Sequence, residues 1–383
     1  MERREAYIAL NLLPEMGPMR VRALLDCFPD PCAALAASEA ELLRVPRLGP
    51  KCAEMIRHWE RNCDLPGELR RIAQSGTQVV TLEDRDYPAL LKEIHDPPIC
   101  LYVRGSLDAL QRSSCSLAIV GSRMTTSYGI GMAQKLSAAA VRAGWVVVSG
   151  LARGVDTAAH TAAVENHGCT IAVLGSGFQY VYPAENVELA QRIIAAEGAV
   201  ITEFPTLYRP DRKNFPMRNR IISGLCRGTL VVEAGLQSGS LITAAQAMEQ
   251  ERAVFAVPGR ADTAYSRGCH ALLRDGARLV ETFEDVLEEF QLLPSLNDRR
   301  QQRAAQEEAE AVVEVQLPPG EYRLWEAIGE GERSIDELVD ALDEPASAVL
   351  GALLTLEIKQ LIRQLPGKRV RRMPRRTARP RGG

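Results

Sequence analysis

Seven short apolar segments alternate with stretches of helical spacing, and this alternation constrains the fold more than any other feature of the sequence. The segments span residues 78–82, 117–121, 145–149, 170–174, 199–202, 229–233 and 253–257. Strands that are apolar at every position are typical of parallel sheets with both faces covered by helices. The pattern predicts a Rossmann-like α/β domain, doubly wound around a mostly parallel sheet. Ligands of such sheets bind beyond the carboxyl ends of the strands, so functional residues are expected directly after each segment.

The flanking sequence differs from this central pattern, and 383 residues are enough for several domains. The sequence predicts a helical domain over 1–66, the Rossmann-like domain over 67–293, a polar linker over 294–317, a winged-helix domain over 318–373 and a disordered basic tail over 374–383. Three helical patterns followed by a basic hairpin around Gly367 favour the winged helix. In the first domain, which is of helix-hairpin-helix or SAM-like type, the turn at Gly49 either brings backbone amides to a phosphate or simply connects two helices.

Composition and the absence of certain motifs exclude several classes of protein. No apolar segment approaches the roughly 20 residues of a membrane helix, and the first residues lack the long apolar block of a signal peptide. Nine scattered cysteines without a C-x-x-C pair argue against a disulfide framework and against a zinc ribbon. His160 and His167 come without an H-E-x-x-H motif or a carboxylate cluster. We therefore expect a cytoplasmic protein with reduced cysteines, no membrane contact, no metal and no cofactor.

Charge is distributed unevenly along the chain. The net charge is −3, yet residues 363–383 contain nine Lys or Arg and no Asp or Glu, which leaves −12 for residues 1–362. A basic end on an acidic body is either a phosphate-seeking arm or a solvated tail. Nucleic-acid binding elsewhere in the chain would have to depend on local basic clusters.

The turn after the second apolar segment has the layout of a phosphate cradle. Gly121 admits close approach of the backbone, the following helix start at about Ile130 directs amides at an anion, and Ser122 and Arg123 add side-chain donors. Neither the G-x-G-x-x-G dinucleotide motif nor a P-loop is present. The alternative is a tight strand-to-helix turn that carries a surface arginine.

Two further segments end in comparable turns. After residues 145–149 the chain continues as Gly150-Leu151-Ala152-Arg153-Gly154-Val155-Asp156, where Ser149 and Gly150 are expected to offer open amides and Asp156 to cap a helix. Arg153 would reach a phosphate or an acidic neighbour. After residues 229–233, Ser238, Gly239 and Ser240 supply another anion-ready turn before a helix.

Residues 209–224 place one aromatic side chain among several cations at a proline-marked helix start. Phe215 lies between Arg212 and Lys213 on one side and Arg218 and Arg220 on the other. An aromatic ring on which bases stack, with basic neighbours for the backbone, suits single-stranded nucleic acid. The alternative is that Phe215 is an ordinary apolar contact beneath the loop.

Residues 87–290 closely resemble the DNA-processing protein A (DprA/Smf) family. The resemblance is carried, in order and spacing, by Tyr87-Pro88, Asp96-Pro97-Pro98, Leu101-Tyr102-Val103-Arg104-Gly105, Gly121-Ser122-Arg123, Ser149-Gly150-Leu151-Ala152-Arg153-Gly154-Val155-Asp156, Phe215-Pro216-Met217-Arg218-Asn219-Arg220, Ser238-Gly239-Ser240-Leu241-Ile242-Thr243-Ala244 and Phe255-Ala256-Val257-Pro258-Gly259. The flanking regions match the family's N-terminal helical domain and C-terminal winged helix by pattern only.

The resemblance implies a protein without catalytic activity that binds single-stranded DNA, shields incoming strands during natural transformation and recombination, and loads the RecA recombinase. It also implies a homodimer formed through the Rossmann-like domain, although no sequence stripe identifies the interface. Taken together with the turns, the expected DNA-binding residues are Gly121, Ser122, Arg123, Ser149, Gly150, Arg153, Lys213, Phe215, Arg218, Asn219, Arg220, Ser238, Gly239 and Ser240.

A different class of function is left open. The predicted fold also resembles nucleotide phosphoribohydrolases of the lysine-decarboxylase-like group, which use a P-G-G-x-G-T turn followed by glutamates. Here Ser238-Gly239-Ser240 is followed by Leu241, Ile242 and Thr243, so the acid is missing. A non-catalytic nucleotide-binding sensor is a further alternative, and a dependence of affinity on oligonucleotide length would separate it from strand binding.

Overall fold

A computed structural model describes the chain except for residues 291–312, 330, 343, 360, 366–368, 374–375 and 381–383. Its contacts divide the chain into two compact units, Met1–Leu292 and Leu293–Gly383. No helix among the described residues is both long and apolar enough to cross a membrane.

The first unit begins with short helices. They are α1 (Arg3–Leu12), α2 (Pro18–Cys27), α3 (Pro31–Ala36), α4 (Glu39–Leu42), α5 (Pro50–Arg57), α6 (Trp59–Asn62) and α7 (Leu65–Gln74). Proline at a first helical position and side-chain caps such as Asp30 and Ser38 explain where several of them start. Their buried side chains, among them Tyr7, join Tyr102 and Leu174 of the sheet region in one apolar cluster. The N-terminal helices therefore belong to the same compact unit as the sheet.

Among the described residues of this unit, nine strands form a single sheet. They are β1 (Gln78–Thr81), β2 (Cys100–Gly105), β3 (Ser116–Val120), β4 (Val146–Ser149), β5 (Thr170–Val173), β6 (Ala199–Thr202), β7 (Gly228–Val231), β8 (Ala253–Ala256) and β9 (Arg278–Leu279). The order across the sheet is β1-β2-β6-β5-β4-β3-β7-β8-β9. The predicted doubly wound, mostly parallel α/β architecture is thus confirmed, and each of the seven apolar segments overlaps a strand.

Strand β2 runs against its neighbours. It pairs antiparallel with β1 on one side and with β6 on the other, whereas the pairs from β6 to β9 are parallel. The sequence prediction included neither β2 nor the two-residue strand β9. Apolar clusters lie on both faces of the sheet, one around Leu101 and Ile221 and the other around Trp145 and Phe255.

Helices cover both faces of the sheet. They are α8 (Ala89–Lys92), α9 (Leu107–Gln111), α10 (Ser127–Arg142), α11 (Val155–Glu165), α12 (Val187–Ala195), α13 (Asn214–Gly224), α14 (Gly239–Glu249), α15 (Arg267–Arg274) and α16 (Phe283–Glu289). Helices α10, α11, α13 and α14 follow strands directly or through one loop, so their first turns lie at the carboxyl edge of the sheet.

The second unit contains a winged-helix domain. Its elements are β10 (Val313–Leu317), α17 (Pro319–Ile328), β11 (Arg333–Ser334), α18 (Ile335–Leu342), α19 (Ala346–Ile358), β12 (Ile362–Leu365), β13 (Arg369–Arg372) and β14 (Arg376–Pro380). Strands β11, β13 and β12 form an antiparallel sheet against the helices, with Leu324, Leu353 and Val370 in the core.

Two expectations for this region differ from the structure. Strand β10 occupies the end of the predicted linker, and β14 lies within the predicted disordered tail. The two strands pair in parallel from Val313↔Arg376 to Leu317↔Pro380, so the basic end of the chain is paired with β10 through its backbone. Residues 294–312 of the predicted linker and residues 374–375 and 381–383 of the predicted tail lie outside the described residues.

Candidate nucleic-acid interface

A cleft of about 830 Å³ opens beyond the carboxyl ends of the central strands. Strand β3 has β4 on one side and β7 on the other, so the chain reverses its winding direction there. The cleft lies at this switch point, where open α/β sheets bind their ligands. Its walls come from the turns after β3, β4 and β7 and from the first turn of α13.

One wall of the cleft carries an arginine stacked on an aromatic ring. The Arg123 guanidinium carbon lies 5.0 Å from the centroid of the half-buried Phe215 ring. Tyr182 also packs against Phe215, with ring centroids 5.7 Å apart and the ring planes tilted by 49°. A Cβ atom at Gly175 would lie 2.9 Å from Phe215 Cδ1, so the ring sits closely over backbone at that glycine. The arrangement places a cation over an aromatic ring in the wall of the cleft.

The turn that presents Arg123 is fixed by internal hydrogen bonds. Ser122 N donates to the Glu233 carbonyl at 2.7 Å, and Ser122 Oγ donates to the Met124 carbonyl at 2.7 Å. The buried Glu233 carboxylate accepts bonds from Thr125 Oγ1 at 2.6 Å and from Thr126 N and Oγ1, both at 2.8 Å. Since the Ser122 hydroxyl is used within the turn, Arg123 is the side chain that the turn offers to a ligand.

The floor of the cleft contains a buried arginine, Arg218. Its Nη1 donates to the Gly150 carbonyl at 2.7 Å and to the Val173 carbonyl. Burial lowers the pKa of Arg218 to about 10, and the negative charge of Asp156 opposes that shift. Arg218 is therefore charged at neutral pH, and it joins two strand ends beneath the cleft.

Helix α14 begins at the opposite wall. Ser238 caps it, accepting a bond from Ser240 N at 3.4 Å, and Gly239 is the exposed first residue. A Cβ atom at Gly239 would meet nothing within 4 Å. Helix starts present free amides and a partial positive charge, which suits an anion.

The comparisons with known proteins agree with this geometry. Residues 78–291 match the family described as DNA recombination-mediator protein A, and residues 306–368 match the DprA winged-helix domain. The Smf protein of Synechocystis is 34% identical over 96% of this chain and 98% of its own length. The chain belongs to the DprA/Smf family.

Other DprA proteins show the same relationship. DNA processing protein DprA of Bacillus subtilis is 42% identical over 59% of this chain and 75% of its own length. The crystal structure of DprA from Streptococcus pneumoniae superposes with a TM-score of 0.65 and 33% identity, covering 76% of this chain and 98% of that one. DprA from Helicobacter pylori, whose structure concerns its single-stranded-DNA binding mode, gives a TM-score of 0.50 and 28% identity over 56% of this chain and 95% of that one.

The cleft brings together most of the residues expected in this DprA-family site. Those that line it are Gly121, Ser122, Arg123, Phe215, Arg218, Asn219, Ser238, Gly239 and Ser240. They come from two turns and from helix α13, which are far apart in sequence and adjacent at the sheet edge. The clustering itself was expected from the rule that strand carboxyl ends share one edge.

Two expected anion contacts are used inside the protein instead. Ser149 is buried and its Oγ donates to the Ile119 carbonyl at 2.6 Å. Gly150 N donates to Asp156 Oδ2 at 3.1 Å. Helix α11 begins at Val155 with Gly154 as its N-cap, so the interpretation of Asp156 as the cap was wrong. Burial raises the pKa of Asp156, and the charge of Arg218 opposes that shift.

Arg220 lies outside the cleft in a buried ion-pair network. Its Nη1 and Nη2 donate to the two carboxylate oxygens of Glu203, both at 2.7 Å, and its Nε donates to Asp96 at 2.9 Å. Only 7% of the Arg220 side chain and 9% of the Glu203 side chain are exposed. The carboxylates therefore hold the Arg220 guanidinium inside the protein. A contact between Arg220 and DNA stays a prediction.

Arg153 and Lys213 are exposed but do not line the cleft. Arg153 pairs with Glu185 in an adjoining groove, and in the segment of Lys213 it is the neighbouring Arg212 that lines the cleft. Helix α10 starts at Ser127, capped by Thr126, rather than at about Ile130.

The cleft also contains residues that the sequence prediction did not include. Among them are Met124, Tyr182, Arg212, Gln237 and Tyr265. Met124 is 76% exposed, and such a large apolar side chain in solvent is typical of a binding surface. Arg212 could have been predicted from its place in the basic segment. The others lie in loops that are brought to the cleft only by the fold.

Proposed function

We propose that this protein binds single-stranded DNA in the cleft, with bases stacking on Phe215 and phosphates held by Arg123 and Arg212. The observation that carries the proposal is the half-buried Phe215 ring with the Arg123 guanidinium 5.0 Å away at the switch point of the sheet. An aromatic surface with flanking cations binds single strands with little dependence on sequence. The single-strand-binding relative from Helicobacter pylori supports this choice of ligand.

The proposal includes the finer role that the family resemblance implies. The protein protects incoming DNA and loads the RecA recombinase during transformation and recombination, acts as a homodimer in the cytoplasm and catalyses no reaction itself. Support comes from membership of the recombination-mediator family. The test is RecA filament formation on DNA coated with single-strand-binding protein, which this protein should accelerate and which the Phe215→Ala variant should not.

Fluorescence anisotropy with labelled oligonucleotides tests the binding itself. Single- and double-stranded oligonucleotides of several lengths are titrated across a salt series with wild type, Arg123→Ala and Phe215→Ala. Both substitutions should weaken single-strand binding, because one removes a phosphate contact and the other a stacking surface worth about 1–3 kcal/mol per base. Phe215→Ala should leave the salt slope nearly unchanged, whereas Arg123→Ala should lower it by about one.

Lys92→Ala is the matched control, since Lys92 is exposed, carries the same charge as Arg123 and does not line the cleft. Affinity for single strands that neither cleft substitution alters would contradict the proposal. Equal affinity for one nucleotide and for long strands would favour the nucleotide-sensor alternative.

A further inference from the structure

A second open groove, of about 710 Å³, adjoins the cleft. The exposed Tyr182 side chain lines both the cleft and the groove. The rest of the groove is formed by a 3-10 turn, Phe178–Tyr180, by the start of α12 and by Arg209 and Pro210. A polymer that leaves the cleft beside Phe215 therefore meets the groove directly.

The groove repeats the chemistry of the cleft. The Arg209 guanidinium carbon lies 5.2 Å from the centroid of the Tyr180 ring, as Arg123 lies near Phe215. Tyr182 connects the two pairs, because its centroid is 5.7 Å from that of Phe215. Tyr182 also lines the groove together with Tyr180, so three rings and two cations line the cleft and the groove.

The loop that carries Tyr180 is anchored in place. Ser176 Oγ donates to the Tyr180 carbonyl at 2.7 Å. Gln179 N donates to the Thr206 carbonyl at 3.1 Å, and Gly177 N donates to the Tyr208 carbonyl at 2.8 Å. Because the backbone is already ordered, a ligand that stacks on Tyr180 loses little free energy to ordering the loop.

An ion pair lies at the boundary of the groove. Arg153 donates two hydrogen bonds to the Glu185 carboxylate, with side chains that are 58% and 52% exposed. Of the described residues that line the groove, Glu185 alone is acidic. A solvent-exposed pair is held weakly, so a phosphate can take the place of the carboxylate on Arg153.

We infer that the groove is a second subsite for the same DNA strand. A single strand longer than the cleft passes over Tyr182, stacks a base on Tyr180 and places phosphates on Arg209 and Arg153, displacing Glu185. This inference rests on the proposed function, because it requires that the strand occupies the cleft first. It assigns to Glu185 the role of a competitor that limits affinity for long strands.

Binding of oligothymidines from about 4 to about 16 nucleotides, a range that spans typical single-strand site sizes, tests the inference. Tyr180→Ala should weaken binding of the longest strand roughly 5- to 150-fold, the range for loss of one stacked base, and should leave the shortest unchanged. Arg209→Gln should also weaken binding of the longest strand only. Unchanged short-strand affinity shows in the same experiment that each variant is folded.

Glu185→Gln gives the opposite expectation. Removal of the competing carboxylate should raise affinity for the longest strand several-fold and leave the shortest unaffected. Glu188→Gln is the control, since Glu188 is exposed on the same stretch of chain, carries the same charge and does not line the groove.

The outcomes separate this inference from the proposed function. If Phe215→Ala weakens binding at every length but Tyr180→Ala and Glu185→Gln change nothing, the groove is not a subsite and the cleft proposal stands. The inference of a second subsite is likewise contradicted if Tyr180→Ala weakens the binding of short and long strands equally. It is also contradicted if Glu188→Gln raises affinity as much as Glu185→Gln does. If wild type binds no single strand, both proposals fail.

Discussion

At the scale of single residues, burial decides which arginines of the Phe215-to-Arg220 motif are free to meet DNA. Arg218 and Arg220 are 3% and 6% exposed, and both donate hydrogen bonds to groups inside the protein. Arg123 is exposed beside the ring that it stacks on. The Arg220 guanidinium is held between carboxylates, so we expect it to stabilise the fold rather than a complex with DNA. Stability and DNA affinity can be measured separately.

Arg220→Met should lower the free energy of unfolding by about 3–5 kcal/mol, because it leaves Glu203 as an uncompensated buried charge. Urea titration followed by circular dichroism measures the loss. The second substitution Glu203→Leu should recover part of it, since it removes the orphaned charge. Full stability of Arg220→Met together with lost DNA affinity would show instead that Arg220 is a DNA contact.

His160 predicts how stability depends on pH. It is buried with Nδ1 2.8 Å from Thr170 Oγ1, and burial lowers its pKa to about 3. In the unfolded chain its pKa is about 6.5, so the unfolded state binds the proton first as pH falls. Its contribution to stability is therefore complete above about pH 6.5 and is lost progressively from there towards about pH 3.

The His160→Gln variant isolates this effect. Between about pH 6.5 and pH 5, wild type should lose up to about 1.4 kcal/mol of stability per pH unit through His160, and the variant should lose correspondingly less. Asp156 has the opposite sign, because burial raises its pKa, but it is present in both proteins, so the difference between them reports His160. Urea midpoints at three pH values provide the measurement, and identical pH dependence of the two proteins would contradict it.

At the scale of elements, the first turn of α14 offers a direct test of what the cleft attracts. Gly239→Asp places a carboxylate at the exposed start of this helix, where a Cβ atom meets nothing within 4 Å. The helix dipole favours that charge by about 0.3–1 kcal/mol, so the melting temperature should stay the same or rise. Affinity for single-stranded DNA should nevertheless fall several-fold by anisotropy, since the carboxylate repels phosphate.

Gly239→Ala is the control for this prediction. It adds a methyl group in open space without charge and should bind DNA as wild type does. If Gly239→Asp bound as tightly as Gly239→Ala, the start of α14 would not face the phosphates.

The strands show what local sequence can and cannot predict. Buried strands are largely apolar, and each of the seven apolar segments overlaps a strand of the sheet. β2 has similar apolar character, but its antiparallel direction depends on pairing with β1 and β6, which lie far away in sequence. β9 has two residues, too few for any periodic pattern to be recognised.

The residues in and around the cleft could likewise be predicted only in part from local sequence. The Gly121 turn and the basic segment around Phe215 were predictable, because each combines residue types with an explicit chemical use in a short stretch. The burial of Arg220 was not, since it is set by Asp96 and Glu203, which come from other elements. The burial of Ser149 was not predictable either, since a carbonyl on the neighbouring strand accepts a hydrogen bond from its hydroxyl.

At the scale of the whole molecule, charge separates an acidic body from a basic end. Residues 1–362 carry −12, while residues 363–383 carry nine cations and no acid. In the hairpin of β12 and β13, Arg363 lies directly opposite Arg371 and both are exposed. Like charges in such a cross-strand pair destabilise a sheet, so this face is suited to a polyanion.

Helix α19 of the winged-helix domain has a different character. Helix α19 contains no Lys or Arg and exposes Leu350 and Leu354, so it lacks the cations that a helix in the major groove uses. Any binding of duplex DNA by this unit should therefore depend on the β12–β13 hairpin. Such binding would be strongly salt-dependent and indifferent to sequence.

The double variant Arg363→Ala, Arg371→Ala tests this division of roles. Duplex affinity should fall, and the slope of log affinity against log salt should decrease by about two, because each lost phosphate contact changes it by about 0.9. Binding of short single strands by the cleft should be unchanged. The hairpin should be no less stable than in wild type, since a repulsive pair has been removed.

Net charge alone has to be excluded as the cause of any loss. Arg44→Ala, Arg61→Ala is the matched control, because both arginines are exposed in the N-terminal helical region and the change in charge is the same. If the control lowers duplex affinity as much as the hairpin variant does, the effect comes from overall charge and not from the hairpin. If neither variant changes duplex affinity, duplex and single strand compete for the cleft, and Arg123→Ala should then weaken both.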